Sequence, residues 1–451
     1  MLYELPESLE KTYERVLMEI NKANRVHAYR LLQCLTVAIR PLHVAQLAEV
    51  LATDFGTASS PGTSKLKTNW RWEDKEQAIL STCSSLIAIA DENGSQVVQF
   101  SHYSVKEFLT SPRLAASGSD VSRFHIPLEP QAAHTIMARA CLGTLLRLDE
   151  ICDEADVEER LPLARYAAEH WVTHAQFEDV SSHIREEMQI FFDPDKPYFS
   201  AWTRIYDIDV RPSSTSPFWY FRVHWNTQDA APLYGAALCG FHDLVEPLIN
   251  KCPQDVNAIG GIYVSPLVAA LQMEQFGIAE LLYQHGAHVD VQGFDKATPL
   301  YSASRGGHLK IVQWLLHHSA DPNLRRESDG WTALHGAAKY DCLDVSQKLL
   351  QHNADPNVQD YNGEIPLHVA TRHGNPNVAR LLLEQGADVN ARREDGSTPL
   401  HLASMDGWLA VARVLIQHGA DRDAEDNEGR TPFQVALVRD MAELLSDHGS
   451  K

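Results

Sequence analysis

The sequence predicts a mostly helical protein whose C-terminal half is a solenoid of repeated helix pairs. Three observations lead to this prediction. A proline recurs at a nearly constant interval in the second half of the chain, a turn residue follows it at a fixed distance, and the first half carries amphipathic helical patterns with one hairpin signal. At 451 residues the chain is also too long for a single core, so several domains are expected.

The repeat is defined by two landmarks that keep the same phase. The prolines are separated by 34, 33, 67, 33 and 33 residues, and Ala333 occupies the missing position inside the long interval. The landmark prolines are Pro232, Pro266, Pro299, Pro366, Pro399 and Pro432, and the turn residues that follow at 20 positions in five units are Gly286, Ser319, Asn353, Gly386 and Gly419. Together these landmarks predict seven units.

Each unit reads as helix, turn, helix and loop. A threonine before the proline, as in Thr398-Pro399, predicts a capped helix start, because proline needs no amide partner at the first helical position. Gly407 is expected to end that helix in a left-handed conformation, and LAVARVLIQHGA to form the second helix.

The motifs DGSTPLHLAS and LLLEQGADVN, recurring every 33 residues, closely resemble the ankyrin repeat. The resemblance covers residues 226–451 and implies an ankyrin-repeat domain of about seven repeats, with atypical terminal units as expected for a solenoid. It also implies that His335, His368 and His401 form hydrogen bonds within and between adjacent repeats.

The first half predicts two further domains. Residues 1–115 show two helical patterns between Leu9 and Ala38, a third helix opening at Pro41, a fourth near 73–85, and a hairpin at Asn93-Gly94, which together describe a winged-helix-like module. Residues 116–225 read as a helical linker domain. Its aromatic residues are expected to pack on the first repeat; the tryptophans are Trp171, Trp202, Trp219 and Trp225.

Segments of this half, including LPESLEKTYERVL, FSHYSVKEFL and YAAEHWVTHA, look like the region that joins NACHT-type NTPases to ankyrin arrays in NLR-like fungal proteins. No GxxxxGK[ST] phosphate-binding loop occurs, so we expect the type without its NTPase domain. His102 matches the histidine that senses nucleotide in related NTPases. Without a phosphate to contact, it is expected to be buried structurally where the strand meets the helix.

Composition and spacing disfavour catalysis, cofactors, metals and nucleic acid. The net charge is −21 and both halves are acidic, so direct DNA contact by the winged helix is not expected. His170 and His174 share a helix face but lack further ligands, so no metal site is predicted. No apolar stretch long enough for a membrane span, no secretory signal and no CxxC pair occur, which favours the cytoplasm or the nucleus.

Function is expected on the exposed strip of loop tips and first helices in repeats three to six. Trp, Tyr and Arg, the residues that dominate binding energy at protein interfaces, are frequent there. The predicted protein-binding residues are Phe294, Arg305, Arg325, Arg326, Trp331, Tyr340, Tyr361, Arg372, Arg392, Arg393, Met405 and Trp408. The pairs Arg325-Arg326 and Arg392-Arg393 are expected to project from their loops and to favour a partner with an acidic segment.

The sequence therefore predicts a non-enzymatic adaptor or regulator that binds another protein and takes no cofactor or small-molecule substrate. Two alternatives stay open. One is a transcriptional co-regulator, such as one of a fungal secondary-metabolite gene cluster, that acts through a DNA-bound partner. The other is a subunit of an NLR-like signalling complex whose NTPase is encoded in another chain or upstream of a misplaced start codon.

Overall fold

The computed structural model describes residues 7–22, 24–53, 79, 83, 85–92, 94–117, 120–127, 130–148, 157–206, 230–293 and 296–446. The chain divides into two compact units between Ile262 and Tyr263, and each unit is considered by itself. The first unit therefore contains the first of the seven predicted repeats. No helix in the described ranges is both long and apolar enough to cross a membrane.

The first unit begins with helices around a small antiparallel sheet. Its elements are α1 (Glu7–Glu19), α2 (Arg25–Val37), β1 (Leu42–His43), α3 (Val44–Ala52), β2 (Ile87–Glu92), β3 (Ser95–Phe100), α4 (Tyr103–Leu109) and α5 (Pro112–Ala116). The strand order is β1-β3-β2, and β2 pairs with β3 from Ile87 opposite Phe100 to Glu92 opposite Ser95. The predicted hairpin is confirmed. Gly94, with φ of 82°, donates its amide to the Asp91 carboxylate at 2.8 Å.

The third helix starts later than the sequence predicted. Leu42 and His43 pair with Val98 and Val97 as a short strand, so the expected start at Pro41 is wrong and the helix begins at Val44. The Gln46 side chain accepts the His43 amide at 3.0 Å and fixes this start. Most of the helix predicted near 73–85 lies outside the described residues.

His102 lies at the expected strand-to-helix joint, but it is exposed instead of buried. Its Nδ1 atom accepts the Ser104 amide at 3.2 Å, so the ring caps the N-terminus of α4. The expectation of a buried histidine is wrong because capping requires the ring to stay at the helix end, where water reaches it.

The linker domain continues the first unit with short helices. They are α6 (Gln131–Leu145), α7 (Val157–Arg160), α8 (Ala164–Ala175), α9 (Val180–His183), α10 (Arg185–Phe191) and α11 (Tyr198–Ile205), with a 3-10 helix at Ser122–Phe124. The first repeat follows as α12 (Pro232–Cys239), α13 (His242–Lys251) and a 3-10 helix at Pro253–Asn257.

Aromatic side chains of the linker join it to the first repeat. Trp171 is fully buried and stacks on Phe241 with a centroid distance of 5.3 Å, and Gln176 donates to the Cys239 carbonyl at 2.7 Å. This confirms the packing predicted for Trp171. Trp202 instead packs within the linker and donates to the Ala168 carbonyl at 3.0 Å. Trp219 and Trp225 lie outside the described residues.

The second unit contains the remaining repeats, each built on a helix pair up to the sixth. The helices are α14 (Pro266–Gln272), α15 (Phe276–Gln284), α16 (Pro299–Arg305), α17 (Leu309–His317), α18 (Ala333–Lys339), α19 (Leu343–Gln351), α20 (Pro366–Arg372), α21 (Pro376–Glu384), α22 (Pro399–Asp406), α23 (Leu409–Gln417) and α24 (Arg439–Ser446).

In repeats two to six both sequence landmarks have the predicted structural roles. Thr298 caps α16 by accepting the Tyr301 amide at 3.1 Å. The turn landmarks all adopt positive φ, including the two that are not glycine: Gly286 (88°), Ser319 (66°), Asn353 (63°), Gly386 (88°) and Gly419 (88°). Gly407 also ends α22 in the left-handed region, at 77°.

The seventh repeat departs from the predicted pattern. Thr431-Pro432 opens a turn and not a helix, and the next helix is α24. Phe433 in this turn is 50% exposed and Leu437 is 80% exposed, so the segment buries little apolar side chain that would stabilise a helix. The prediction of a capped helix at Pro432 is therefore wrong.

Candidate partner-binding surface

The loops between the repeats of the second unit are joined to one another by backbone hydrogen bonds. Tyr361 donates its amide to the Asp329 carbonyl, Glu394 to that of Asn362, and Asn427 to that of Asp395, each at 3.0 Å. These hydrogen bonds between neighbouring loops preorganise the loop tips. Preorganisation lowers the entropic cost of binding.

Most of the predicted strip lies at the surface of these repeats. The most exposed large side chains are Tyr361 at 53%, Tyr340 at 46%, Met405 at 45% and Trp408 at 41%. Arg305, Arg325 and Arg392 are exposed, whereas Arg326, Trp331, Arg372 and Arg393 are half-buried. Phe294 lies outside the described residues.

Cations lie over the exposed aromatic rings. The guanidinium of Arg325 lies 5.1 Å from the ring centroid of Tyr361, and that of Arg305 lies 5.5 Å from the centroid of Tyr340. Lys339 approaches the Tyr340 ring as well, at 5.3 Å. Each such contact contributes roughly 0.5–1 kcal/mol at an exposed site.

Lys339 is a member of this surface that the sequence prediction missed. The signal was present, because Arg305, Lys339 and Arg372 are the last residues of the first helices in three successive repeats. A search for cations at one fixed position of the repeat would have found all three. Cations are also favoured there by the negative end of the helix dipole.

The two arginine pairs do not present four free charges. Arg326 forms a two-point ion pair with Asp329, including an Nε–Oδ1 contact of 2.9 Å. Arg393 does the same with Asp395, also with an Nε–Oδ1 contact of 2.9 Å. Arg392 donates to the Glu425 carbonyl. The expectation that both pairs project as free cations is corrected, because an aspartate two or three residues later binds the second arginine of each pair.

A buried carboxylate connects two repeats beside the strip. The Glu364 side chain is only 3% exposed and accepts from Arg372 and, at 3.1 Å, from Arg393. Trp408 lies next to this group: its indole N–H donates to the Arg372 carbonyl at 3.0 Å, and its ring covers Gly374. These contacts fix the positions of the half-buried arginines.

His335 and His401 form the hydrogen bonds within and between repeats that the ankyrin resemblance implied, whereas His368 forms only the one within its repeat: its Nδ1 accepts the Ile365 amide at 3.2 Å, and its buried Nε2 has no hydrogen-bond partner among the described residues. His335 Nδ1 accepts the Thr332 amide at 3.1 Å, and its Nε2 bonds to the Glu364 carbonyl of the next repeat at 3.0 Å. His401 makes the same contacts with Thr398 and Arg430. Burial lowers the pKa of His335 to about 4, so its ring is neutral at physiological pH.

His174 belongs to a hydrogen-bonded chain in the linker. Its Nε2 lies 2.9 Å from the Tyr166 hydroxyl and its Nδ1 lies 2.8 Å from Nδ1 of His134. Burial lowers the pKa of His174 to about 3. Within the described ranges, no three His, Cys, Asp or Glu side chains are grouped as metal ligands would be.

Family models match both ends of the chain. Residues 15–120 match the winged helix domain of GPI inositol-deacylase, and residues 233–326, 320–393 and 390–451 match ankyrin repeats in three copies.

Several known proteins are similar to this chain. Azaphilone pigments biosynthesis cluster protein L of Monascus ruber is 30% identical over 332 residues, which cover 71% of this chain and 61% of that protein. Ankyrin repeat protein nuc-2 of Neurospora crassa is 29% identical over 89 residues, 20% of this chain and 8% of that protein. Ankyrin repeat and SAM domain-containing protein 6 of Rattus norvegicus is 34% identical over 104 residues, which cover 22% of this chain and 11% of that protein.

The chain thus spans less than two thirds of the length of these relatives. Among solved structures, the ankyrin repeat domain of Bcl-3 is 29% identical, with a TM-score of 0.45 over 48% of this chain and 97% of that one. The sequence motifs, the helix pairs and the family models lead to the same assignment: this is a mostly helical chain with an N-terminal winged helix domain and a C-terminal array of ankyrin repeats.

Proposed function

We propose that this chain is a non-enzymatic adaptor or regulator that binds another protein through the strip on repeats three to six. The observation that carries the proposal is a pair of exposed aromatic side chains: Tyr361, on one of the loops joined by backbone hydrogen bonds, and Tyr340, at the end of α18. Tyr340 and Tyr361 each offer a large ring at the surface, already positioned by a cation. Such pre-ordered aromatic residues are the kind that dominate binding at protein interfaces.

The test is affinity purification of the tagged full chain with quantitative mass spectrometry. The double variant Tyr340→Ala/Tyr361→Ala should lose the specific partner by at least tenfold. Tyr283→Ala is the matched control, since Tyr283 is an exposed tyrosine on α15, a second helix. Equal recovery of every partner with both variants would show that the strip is not the binding surface.

The relative from Monascus supports a more specific proposal for the regulator. Its name places it in a pigment biosynthesis cluster, so we propose that this chain co-regulates genes of a secondary-metabolite cluster through a DNA-bound partner. Strains that carry the strip variant should then show changed transcript levels for such genes. Unchanged transcripts in both the deletion strain and the strip variant would contradict this role.

The winged helix match supports the other candidate, a subunit of an NLR-like signalling complex. In that case an NTPase of the NACHT type, encoded in another chain, should co-purify. A transcription factor among the lost partners would favour co-regulation instead. We propose the cytoplasm or the nucleus as the compartment, which agrees with the free cysteines among the described residues.

A further inference from the structure

Two cations converge on one exposed ring in the middle of the strip. Arg305 ends α16 and Lys339 ends α18, and their charged groups lie 5.5 and 5.3 Å from the ring centroid of Tyr340. Lys339 also lies 5.6 Å from the ring centroid of Trp331. With Arg325 over Tyr361, these residues form a group that we call the cation cluster: Arg305, Arg325 and Lys339.

The cation cluster differs from Arg326, Arg372 and Arg393 because no carboxylate neutralises it, and from Arg392, which donates to the Glu425 backbone carbonyl, because its charges lie over aromatic rings. Arg326 and Arg393 are each paired with an aspartate, and Arg372 with Glu364. Across the part of the chain that the structure describes, no carboxylate lies within ion-pair distance of any of the three cluster members; aromatic rings take that place. A guanidinium stacked on a ring still has N–H groups at its edge, so it remains able to bind a carboxylate at two points.

Neighbouring groups respond to the positive potential of the cluster. Burial alone would raise the pKa of Tyr340, but hydrogen bonds and charges from Arg305 and Lys339 outweigh it and leave that pKa below its ordinary value. Burial lowers the pKa of His373, and the charges of Lys339 and Arg372 lower it further. Arg305 and Lys339 thus place positive charge beside the Tyr340 ring on a molecule whose net charge is −21.

We propose that the cation cluster binds an acidic segment of the partner protein, with carboxylates on Arg305, Lys339 and Arg325 and an apolar side chain against Tyr340 and Tyr361. This inference rests on the proposed function and names the chemistry of the partner. A protein segment fits better than a nucleic acid, because a long phosphate backbone would extend from three cations onto an acidic surface and be repelled there. Of the two arginine pairs singled out by the sequence, only Arg325 belongs to this contact, together with Arg305 and Lys339.

The test starts from a selection of random 12-residue peptides displayed on phage against the full chain. The selected peptides should be enriched in Asp and Glu, and their affinity should fall as salt rises. The variant Arg305→Glu/Lys339→Glu should weaken them by at least tenfold. The matched control is Arg380→Glu/Arg413→Glu, which changes the net charge equally on exposed arginines of α21 and α23 and should leave affinity unchanged.

Thermal unfolding of both variants checks that the fold is retained, and the milder Arg305→Gln/Lys339→Gln variant replaces the first if its transition is lowered. Peptides that show no acidic enrichment, or that bind the cluster variant as tightly as the control, overturn this inference. If those peptides still lose affinity for Tyr340→Ala/Tyr361→Ala, the proposed function stands. A selection that yields no peptide sensitive to either variant overturns both.

Discussion

Because the linker packs closely against the first repeat, we expect Gly235→Ala to destabilise the protein, although the same change in most helices is stabilising. Gly235 lies inside α12, where replacing glycine by alanine normally stabilises a helix by up to about 1 kcal/mol. Here an added Cβ atom would lie 2.3 Å from Cε2 and 2.5 Å from Cζ of Phe199, and 3.3 Å from Cε1 of Phe192. Phe199 is only 2% exposed, so its ring cannot simply turn into solvent.

Overpacking a well-filled core costs roughly 1–3 kcal/mol, which exceeds the gain in helix propensity. We therefore expect a net loss of about 1–2 kcal/mol. Gly336 provides the matched control, because it occupies the same position of its repeat, three residues after the start of α18. There the added Cβ would lie 3.3 Å from Cε2 of Tyr301, so Gly336→Ala should change stability by no more than about 0.5 kcal/mol.

Hydrogen exchange with mass spectrometry measures each effect locally, which matters because a chain of two units need not unfold in one step. In Gly235→Ala, amides of 198–205 and 232–239 should exchange about 5- to 30-fold faster, as a loss of 1–2 kcal/mol requires. Amides of 299–305 and 333–339 should barely change in Gly336→Ala. Slower exchange in Gly235→Ala would refute the packing of Phe199 against the first repeat.

Three further predictions concern buried polar groups. Burial lowers the pKa values of His335 and His368 to about 4, against 6.5 for an ordinary histidine. Between these two pH values the unfolded chain binds more protons than the folded chain. The free energy of unfolding should therefore fall as pH drops from 6.5 towards 4, by at most about 1.4 kcal/mol per pH unit for each ring. Glu364→Gln should lower the free energy of unfolding by about 1–3 kcal/mol, because two guanidiniums lose their shared carboxylate. Tyr166→Phe should cost about 1–3 kcal/mol, because the Ile39 amide and His174 lose a buried partner.

Urea unfolding monitored by circular dichroism and by hydrogen exchange checks all three. Between pH 6.5 and 4, the free energy of unfolding should fall less steeply for His335→Gln than for the parent chain. Equal slopes would contradict the lowered pKa of His335. Glu394→Gln is the control for Glu364→Gln because Glu394 is exposed; equal losses would mean that burial of the ion pair is unimportant. For Tyr166→Phe, unchanged exchange in α8 would contradict the hydrogen-bonded chain.

The repeat architecture could be predicted from sequence because each landmark has a local physical cause. A proline after threonine marks a helix start, and a glycine marks a left-handed turn, whatever lies elsewhere in the chain. Ser319 and Asn353 adopt positive φ like the glycines at the same position of other repeats. Position within the repeat therefore predicted this backbone conformation better than residue type did. The start of α3 was mispredicted because pairing with a distant strand decides it. The end of the array was mispredicted because the exposure of Phe433 and Leu437 in the folded chain cannot be seen from the repeat pattern.

The candidate surface was only partly predictable for a related reason. Position in the repeat indicates which side chains reach the surface, and this identified Arg305, Tyr340 and Tyr361. It does not indicate which cations are already neutralised, since that depends on carboxylates a few residues away and in the next loop. Arg326 and Arg393 read as binding residues in the sequence, yet their nearest anions belong to their own loops.

Gly235 also shows how the array of repeats begins. In the second unit, Tyr301 of one first helix packs against Gly336 of the next, 35 residues later. In the first unit, Phe199 of the linker packs against Gly235, 36 residues later, at the same position of the repeat. The linker helix α11 thus supplies the aromatic contact that a preceding repeat would supply. The surface of the first repeat that faces the linker can therefore stay apolar instead of becoming polar. Terminal repeats in solenoids require a cap, and here the linker domain provides it.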